Sequence, residues 1–354
     1  MRDPNPAKPQ ASTPITVVVL AALAAVLILG TGAGAQTLPS SGYLSFDAPS
    51  AGTGSYQGTY PSAINRNGWI SGTVVYGTGF SHGFLRMPNG SFIAVNPPGS
   101  VQSLVASINN SNEAVGTYYN GTETSYGFLR DAAGNFTTLA VPGAYSTNPS
   151  GINDRGEVVG FASFSGAGSQ GFFWTAQHGY TLFVVPGSAT NTTIATAINA
   201  TGTIVGTYGG ADFYTYDFVR SPGGQFSTFE AIYGGTATQM TAINASGQTT
   251  GWGNDGNGDT DGFLGDAHGT VSQFGIDQGT DGTAINESGV IVGYGFSDGG
   301  GPIAFEREPD GTINILTIPF SNTGAEAVGI NSQGVIVGTY TDSANASHGW
   351  VGAP

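Results

Sequence analysis

The stretch of the chain richest in possible ligand atoms is Asn254-Asp255-Gly256-Asn257-Gly258-Asp259-Thr260-Asp261-Gly262. Oxygen-bearing side chains alternate at Asn257, Asp259 and Asp261, a glycine follows, and Asp255 stands two residues ahead. A hard cation gathers several carboxylate and carbonyl oxygens, and this alternation is how a calcium loop begins. Counting from Asn257, the twelfth position should hold a bidentate glutamate, and His268 stands there instead. A single acidic, glycine-rich loop also reads as a well-solvated turn. Asp255, Asn257, Asp259 and Asp261 are therefore the candidate metal ligands, and calcium is the one candidate cofactor.

Other chemistry is thinner. Gly79-Phe80-Ser81-His82-Gly83 matches the G-x-S-x-G expression of serine hydrolases. That elbow needs a strand, a sharp turn and a helix. Ser-His-Gly recurs at Ser347-His348-Gly349, so here it belongs to a repeated hairpin rather than to a nucleophile. His178 and His268 precede glycines in turns. Most of the acids sit in turns, such as Asp131, Asp154, Asp266 and Asp310, while Glu306 and Glu308 flank Arg307 in the alternation of an exposed strand face. No acid, base and cation converge, so no catalytic residue is assigned.

Composition narrows the partners. The net charge is −15, and the one lysine, Lys8, lies near the N-terminus. Phosphate binding needs Lys and Arg, so nucleic acid is excluded as a partner, and so is docking on anionic lipid. The chain has no Cys, which excludes disulfides, thiol nucleophiles and thiolate metal sites. Glycine numbers 59 of 354 residues, yet 39% are hydrophobic, with 20 Phe and 15 Tyr, enough for a large core. Gly, Thr, Val and aromatics in such numbers favour strands and tight turns.

Residues 1–35 read as a secretory signal peptide. Arg2 and Lys8 supply the positive start, Ile15 to Leu29 the apolar run, and Ala33-Gly34-Ala35 the small-residue cleavage pattern. The apolar run is short for a bilayer, which takes about 20 residues. The expected location is secreted, extracellular or periplasmic, with no membrane contact beyond the leader.

Residues 36–354 read as one domain built on a single motif. Ile-Asn begins at Ile64, Ile108, Ile152, Ile198, Ile243, Ile285 and Ile330, at intervals of 42 to 46 residues. Seven residues after each Asn comes a Gly, from Gly72 to Gly338, and nineteen after it an aromatic, from Phe84 to Trp350. Neither offset slips, so all length variation follows the aromatic. Asn and Gly three residues apart are a type I turn signature, with Asn112 replacing Gly once. β-Branched residues follow the turn, and a second turn such as Pro88-Asn89-Gly90 follows the aromatic. This predicts four antiparallel strands per repeat and an all-β, seven-bladed β-propeller. The last repeat stops in its third strand. Tyr43-Leu44-Ser45-Phe46 resembles the missing fourth, so the N-terminal strand is expected to close the last blade.

Ile330-Asn331-Ser332-Gln333-Gly334-Val335-Ile336-Val337-Gly338, with His82-Gly83-Phe84-Leu85-Arg86 in the first repeat, resembles the bacterial extracellular HAF-repeat family, named for a His-Ala-Phe triplet. The likeness covers nearly all of the mature chain. It implies export and a repeat fold, and no agreed activity. The triplet's His position holds Tyr126, Gln170, Tyr216, Asp261 or Ile303 elsewhere, which argues against one catalytic group written seven times. The expected function is a monomeric extracellular binding or scaffold module, its ligand a glycan or a surface protein, without enzymatic activity. The alternative is a polysaccharide hydrolase or lyase with acids at the mouth of the channel.

Overall fold

The computed structural model describes residues 42–122, 124–189, 192–229, 236–254, 259–266, 270–276, 279–296 and 300–353. Among these residues there are 28 strands and no helix. The first repeat sets the plan. Gly58–Ile64, Ile70–Val75, Ser81–Arg86 and Phe92–Val95 pair antiparallel in chain order. Such four-stranded units recur along the chain. Neighbouring units meet side by side at single parallel bridges, Gly58 with Ser347, Ser125 with Ser146, Ser169 with Thr192 and Thr215 with Ala237. The last repeat contributes three strands, and Gly42–Phe46 supplies its fourth, running antiparallel to Ser347–Ala353 in the register Gly42 to Ala353 and Phe46 to Gly349. The fold is thus all-β, with repeated four-stranded antiparallel sheets.

Each Ile-Asn turn forms as its residues dictate. The N–H three residues on returns to the Asn carbonyl in every repeat, from Gly68 to Asn65 through Gly334 to Asn331. The residue donating it has left-handed backbone, φ 77° at Gly68, and Asn112 adopts 62° where glycine is missing. The Asn side chain does more than start a turn. Asn65 Oδ1 accepts the N–H groups of Asn67 and Trp69, while its Nδ2 donates to the carbonyl of Asn109 in the next repeat at 2.9 Å. The same Nδ2 bond steps from each Asn to the next, at 2.9 to 3.4 Å, and the last runs from Asn331 back to Asn65. All seven side chains are buried.

The glycine and aromatic columns explain each other. Gly72 sits opposite Phe84 on the neighbouring strand, and the other repeats keep this pairing through Gly338 and Trp350. The first strand carries a β-bulge at this level in all seven repeats. A Cβ at Gly251 would meet a ring carbon of Phe263 at 2.9 Å, with the carbonyl of Gln239 closer still. Ring and bulge therefore occupy the place of a side chain, and only Gly fits. The aromatics themselves are at most 2% exposed. They fill cores shared by consecutive repeats: Leu85 and Val95 of the first pack with Val105, Ile108 and Phe128 of the second. Burying one such ring contributes about 1.5–3 kcal/mol. Between units, Arg86, Arg220 and Arg307 lay their guanidinium groups over Phe46, Phe183 and Phe274, 4.8 to 5.1 Å from the ring centres.

One buried charge breaks the pattern. Asp217 occupies a strand position held by Gly or Ala in the other repeats, and it is fully buried. Its Oδ1 accepts the Met240 N–H at 2.8 Å, and its Oδ2 has no partner. Burial pushes its carboxyl up to about 7 from 3.8. The unfolded chain ionises first as pH rises, so folding loses stability between about pH 4 and 7 and stays lower above it.

Two outcomes follow for unfolding experiments. Asn199→Ala removes a turn acceptor and an inter-repeat donor together, and should cost about 2 kcal/mol in urea unfolding. Asp217→Asn should leave stability at pH 4 nearly unchanged and raise it at pH 8 by up to about 4 kcal/mol; an equal effect at both pH values would contradict an ionising buried carboxyl.

Candidate functional site

Alternating strand direction gives every unit two ends. The turns joining first to second and third to fourth strands lie at one end. The loops joining second to third strands, and one unit to the next, lie at the other.

The turn end is polar and tightly bonded. A cavity of 450 Å³ opens there, lined by the Ile of all seven Ile-Asn pairs. The residue after the Asn often reaches to its neighbour: Asn110 Oδ1 accepts the N–H of Arg66, Asp154 that of Asn110, and Glu287 that of Ala245. These contacts continue the inter-repeat bonding and leave the cavity with only scattered charge, at Arg66, Asp154 and Glu287.

The loop end differs in kind. Among the described residues, every aromatic side chain that is exposed lies there: Tyr56, Phe80, Tyr119, Tyr145, Phe213, Tyr214 and Phe296. Tyr56 and Phe213 are the most open, at 85% and 89%. Phe80, Tyr119, Phe213, Tyr214 and Phe296 belong to second-to-third strand loops or their edges, and Tyr56 and Tyr145 precede first strands. Motif matching is blind to these residues, because their positions hold other residue types in most of the other repeats.

At the same end two carboxylates stand at equivalent places on successive first strands, Asp281 on Thr280–Ile285 and Glu326 on Ala325–Ile330. The Tyr294 hydroxyl donates to Asp281 Oδ2 at 2.6 Å. Burial raises the Asp281 carboxyl above the usual carboxylate range despite that bond. Burial, then the negative charge of Asp281, raises Glu326 as well.

Of the acidic loop, Asp255, Asn257 and the His268 at its twelfth position lie outside the described residues. Asp259 is described, and Asp261 stands on the strand Thr260–Gly265, paired with Gly253. Among the described residues no group of three or more His, Cys, Asp or Glu side chains is placed to hold a metal. Ser81 begins the strand Ser81–Arg86 of a hairpin, and His82 bonds Asn96 at 2.8 Å, so the G-x-S-x-G match has no elbow. His178 bonds Thr175 at an exposed turn. The other repeat histidine, His348, contacts Asp47 at 2.9 Å across the pairing of the first and last strands.

The exposed face expected around Arg307 needs correction. Glu306 and Arg307 are each 8% exposed. The reason is packing on both sides of the sheet: Arg307 covers Phe274 of the preceding unit, and the charge of Glu306 reaches Tyr43 of the following one. Strand alternation marks a solvated face only where one face is free.

Two hydroxyl columns also escaped sequence reasoning. Six residues before each Asn stand Thr59, Ser103, Thr147, Thr193, Thr238 and Thr280, all nearly fully buried, with Ala325 in the last repeat. Thr59, Thr147, Thr193 and Thr280 accept the N–H of Ala48, Val141, Val185 and Ile276, where one unit hands over to the next. At the bulge, Ser150, Thr196, Thr241 and Thr283 donate to first-strand carbonyls of the following repeat at 2.7 to 2.8 Å. Their constant offset from Asn was the signal that could have revealed them.

No family model matches the chain, and no curated protein matches it. Solved structures do. A streptogramin B lyase superposes with a TM-score of 0.57 at 13% identity, over 88% of this chain and 98% of that one. Prolyl endopeptidases superpose with a TM-score of 0.60 at 11% identity, over 86% of this chain and 50% of theirs. The BP39L lectin from Burkholderia pseudomallei gives a TM-score of 0.50 at 9% identity, over 82% of this chain and 94% of that one. Lyase, peptidase and lectin share the likeness, so it speaks for a propeller-type repeat fold and for no one activity. Among the described residues no helix is long and apolar enough to cross a membrane.

Titrating the protein with Ca²⁺ by calorimetry should give a heat of binding that Asp259→Ala abolishes. No heat from the parent protein removes calcium from the account.

Proposed function

We infer that this protein is a closed, seven-bladed β-propeller, exported by cleavage after residue 35, that works outside the cytoplasm as a monomeric binding module for glycans. Closure is supported by the Asn331 to Asn65 bond, by the pairing of Gly42–Phe46 with Ser347–Ala353, and by Arg86 of the first repeat stacking on Phe46 of the last sheet. Export is supported by the leader and by the HAF-like repeat, whose resemblance implies the same location.

Binding rests on one observation: every exposed aromatic of the described residues gathers at the loop end. Exposed rings cost solubility and give the fold nothing. Rings supported on a rigid scaffold offer flat apolar faces to a ligand, and loops on such scaffolds are the usual place for recognition. Glycan is favoured over an anionic partner because the chain is strongly acidic, and because sugar rings carry an apolar C–H face beside their hydroxyls.

Asp281 and Glu326 favour a second reading, a polysaccharide hydrolase or lyase. Two neighbouring carboxylates with raised proton affinity at the loop end of successive first strands have the character of an acid and a base. Among the described residues Tyr294 is the one polar group bonded to the Asp281 carboxylate, and neither carboxylate forms an ion pair with a cation, so binding without cleavage is the primary reading.

A glycan array run beside a polysaccharide cleavage screen tests both. The expected result is glycan binding with no cleavage. Cleavage that disappears in Asp281→Asn or Glu326→Gln would establish the enzyme instead, and silence in both assays would leave neither standing.

A further inference from the structure

The second-to-third strand loops turn in a common way. In the first repeat the Gly79 N–H returns to the Tyr76 carbonyl, and Gly79 has φ 83°. In the last, Asn345 returns to Asp342 with φ 59°. Gly and Asn are the residues that take left-handed backbone most readily. In the fourth repeat the same place is held by Phe213, whose N–H returns to the Gly210 carbonyl and whose φ is 69°. A bulky side chain in that conformation is strained.

Nothing in the fold repays the strain. Phe213 is 89% exposed, and it belongs to none of the buried apolar clusters. The loop around it is nevertheless fixed. Asp212 accepts the Tyr214 N–H at 3.1 Å and the Tyr216 hydroxyl at 2.6 Å. Those bonds hold the Asp212 carboxyl below its usual range, so it stays ionised. The ring is thus held out into solvent by a rigid, unfavourable turn.

Beside it lies a groove of 310 Å³, lined by Thr192, Thr207, Tyr208, Tyr214 and Thr215 together with Phe213. The polar side chains of its lining are hydroxyls; among the described residues no Lys, Arg, Asp or Glu lines it. Its size suits one small ring rather than a long chain. Tyr56 repeats the device at another loop: 85% exposed, φ 61°, with its N–H bonded to the Asn345 carbonyl.

The geometry points to the fourth-repeat loop as the binding site for a neutral sugar ring. The ring's C–H face stacks on Phe213 and Tyr214, and its hydroxyls exchange hydrogen bonds with the threonines. The negative charge of Asp212 opposes uronic acids and other anionic sugars. This site rests on the glycan reading of the loop end and gives that reading an address.

Calorimetric titration with cellohexaose, maltohexaose, mannohexaose and xylohexaose, and with hexagalacturonate as the anionic counterpart, tests it, beside thermal unfolding. The parent protein should bind at least one neutral hexasaccharide and bind hexagalacturonate more weakly. Phe213→Gly should weaken that binding about tenfold, the loss of one stacked ring, while leaving the thermal midpoint equal or higher, because the backbone is relieved. Tyr214→Ala should weaken binding similarly. A ring kept for the fold would move stability down instead. Binding retained by both variants overturns this site and leaves the glycan reading intact. Stronger binding of hexagalacturonate, a lowered midpoint in Phe213→Gly, or a Phe213-dependent response to the apolar peptide Ala-Leu-Phe-Leu-Ala in place of sugars each overturns it too. No binding of these sugars, together with a silent glycan array, overturns both.

Discussion

The asparagine carboxamide is the group on which the rest of the molecule depends. It carries an acceptor and a donor on one short arm. The acceptor fastens its own turn, and the donor fastens the next repeat's turn, at every one of the seven positions. Aspartate would fill the first role and lack the donor; it would also bury negative charges close together. Glutamine offers the same atoms on a longer, freer arm. The requirement that one turn meet the carbonyl of the next fixes how far apart successive units can stand. That spacing in turn sets the room available for Gly72 and Phe84 and their equivalents. This is why the offsets inside a repeat never slip, and why insertions accumulate only after the aromatic, where no such bond must be met.

Local chemistry was legible in the sequence, and long-range chemistry was not. The turn at Asn65 to Gly68 needs only residues three apart, and Asn112 could be read as a stand-in for glycine because its tolerance of left-handed backbone is intrinsic. The match of Tyr43–Phe46 to the fourth strands was visible because the repeat is regular. The partner of Asn65 Nδ2, by contrast, lies 44 residues away. Nothing in the residue type says that a turn former also reaches its neighbour. Glu306 and Arg307 were misread for a related reason: alternation shows which residues share a face, and only packing shows whether that face meets water.

The candidate site was the least legible part. The acidic loop attracted attention because oxygen ligands have a recognisable spacing, yet half of its proposed ligands fall outside the described residues. Tyr56, Phe213 and Phe296 stand at different offsets from their Ile-Asn pairs and form no column. They become a group only when the strands bring their loops to one end. Phe213 is conspicuous through its backbone, in a left-handed conformation that Gly79 takes in the first repeat and Asn345 in the last. The two ends of the molecule divide the labour. The turn end is bonded repeat to repeat and tolerates little change, and the loop end carries side chains that vary between repeats.

The pairing of Gly42–Phe46 with Ser347–Ala353 joins segments far apart in the chain, with Asp47 and His348 separated by 301 residues. Until the last strand emerges, the first has no paired strand, and Phe46 lacks the Val335, Val337 and Val351 part of its core. The chain must therefore be made through Ser347–Ala353 before the final sheet can assemble. Throughout that interval an apolar strand edge stands open to other chains, and a chaperone has its clearest target there.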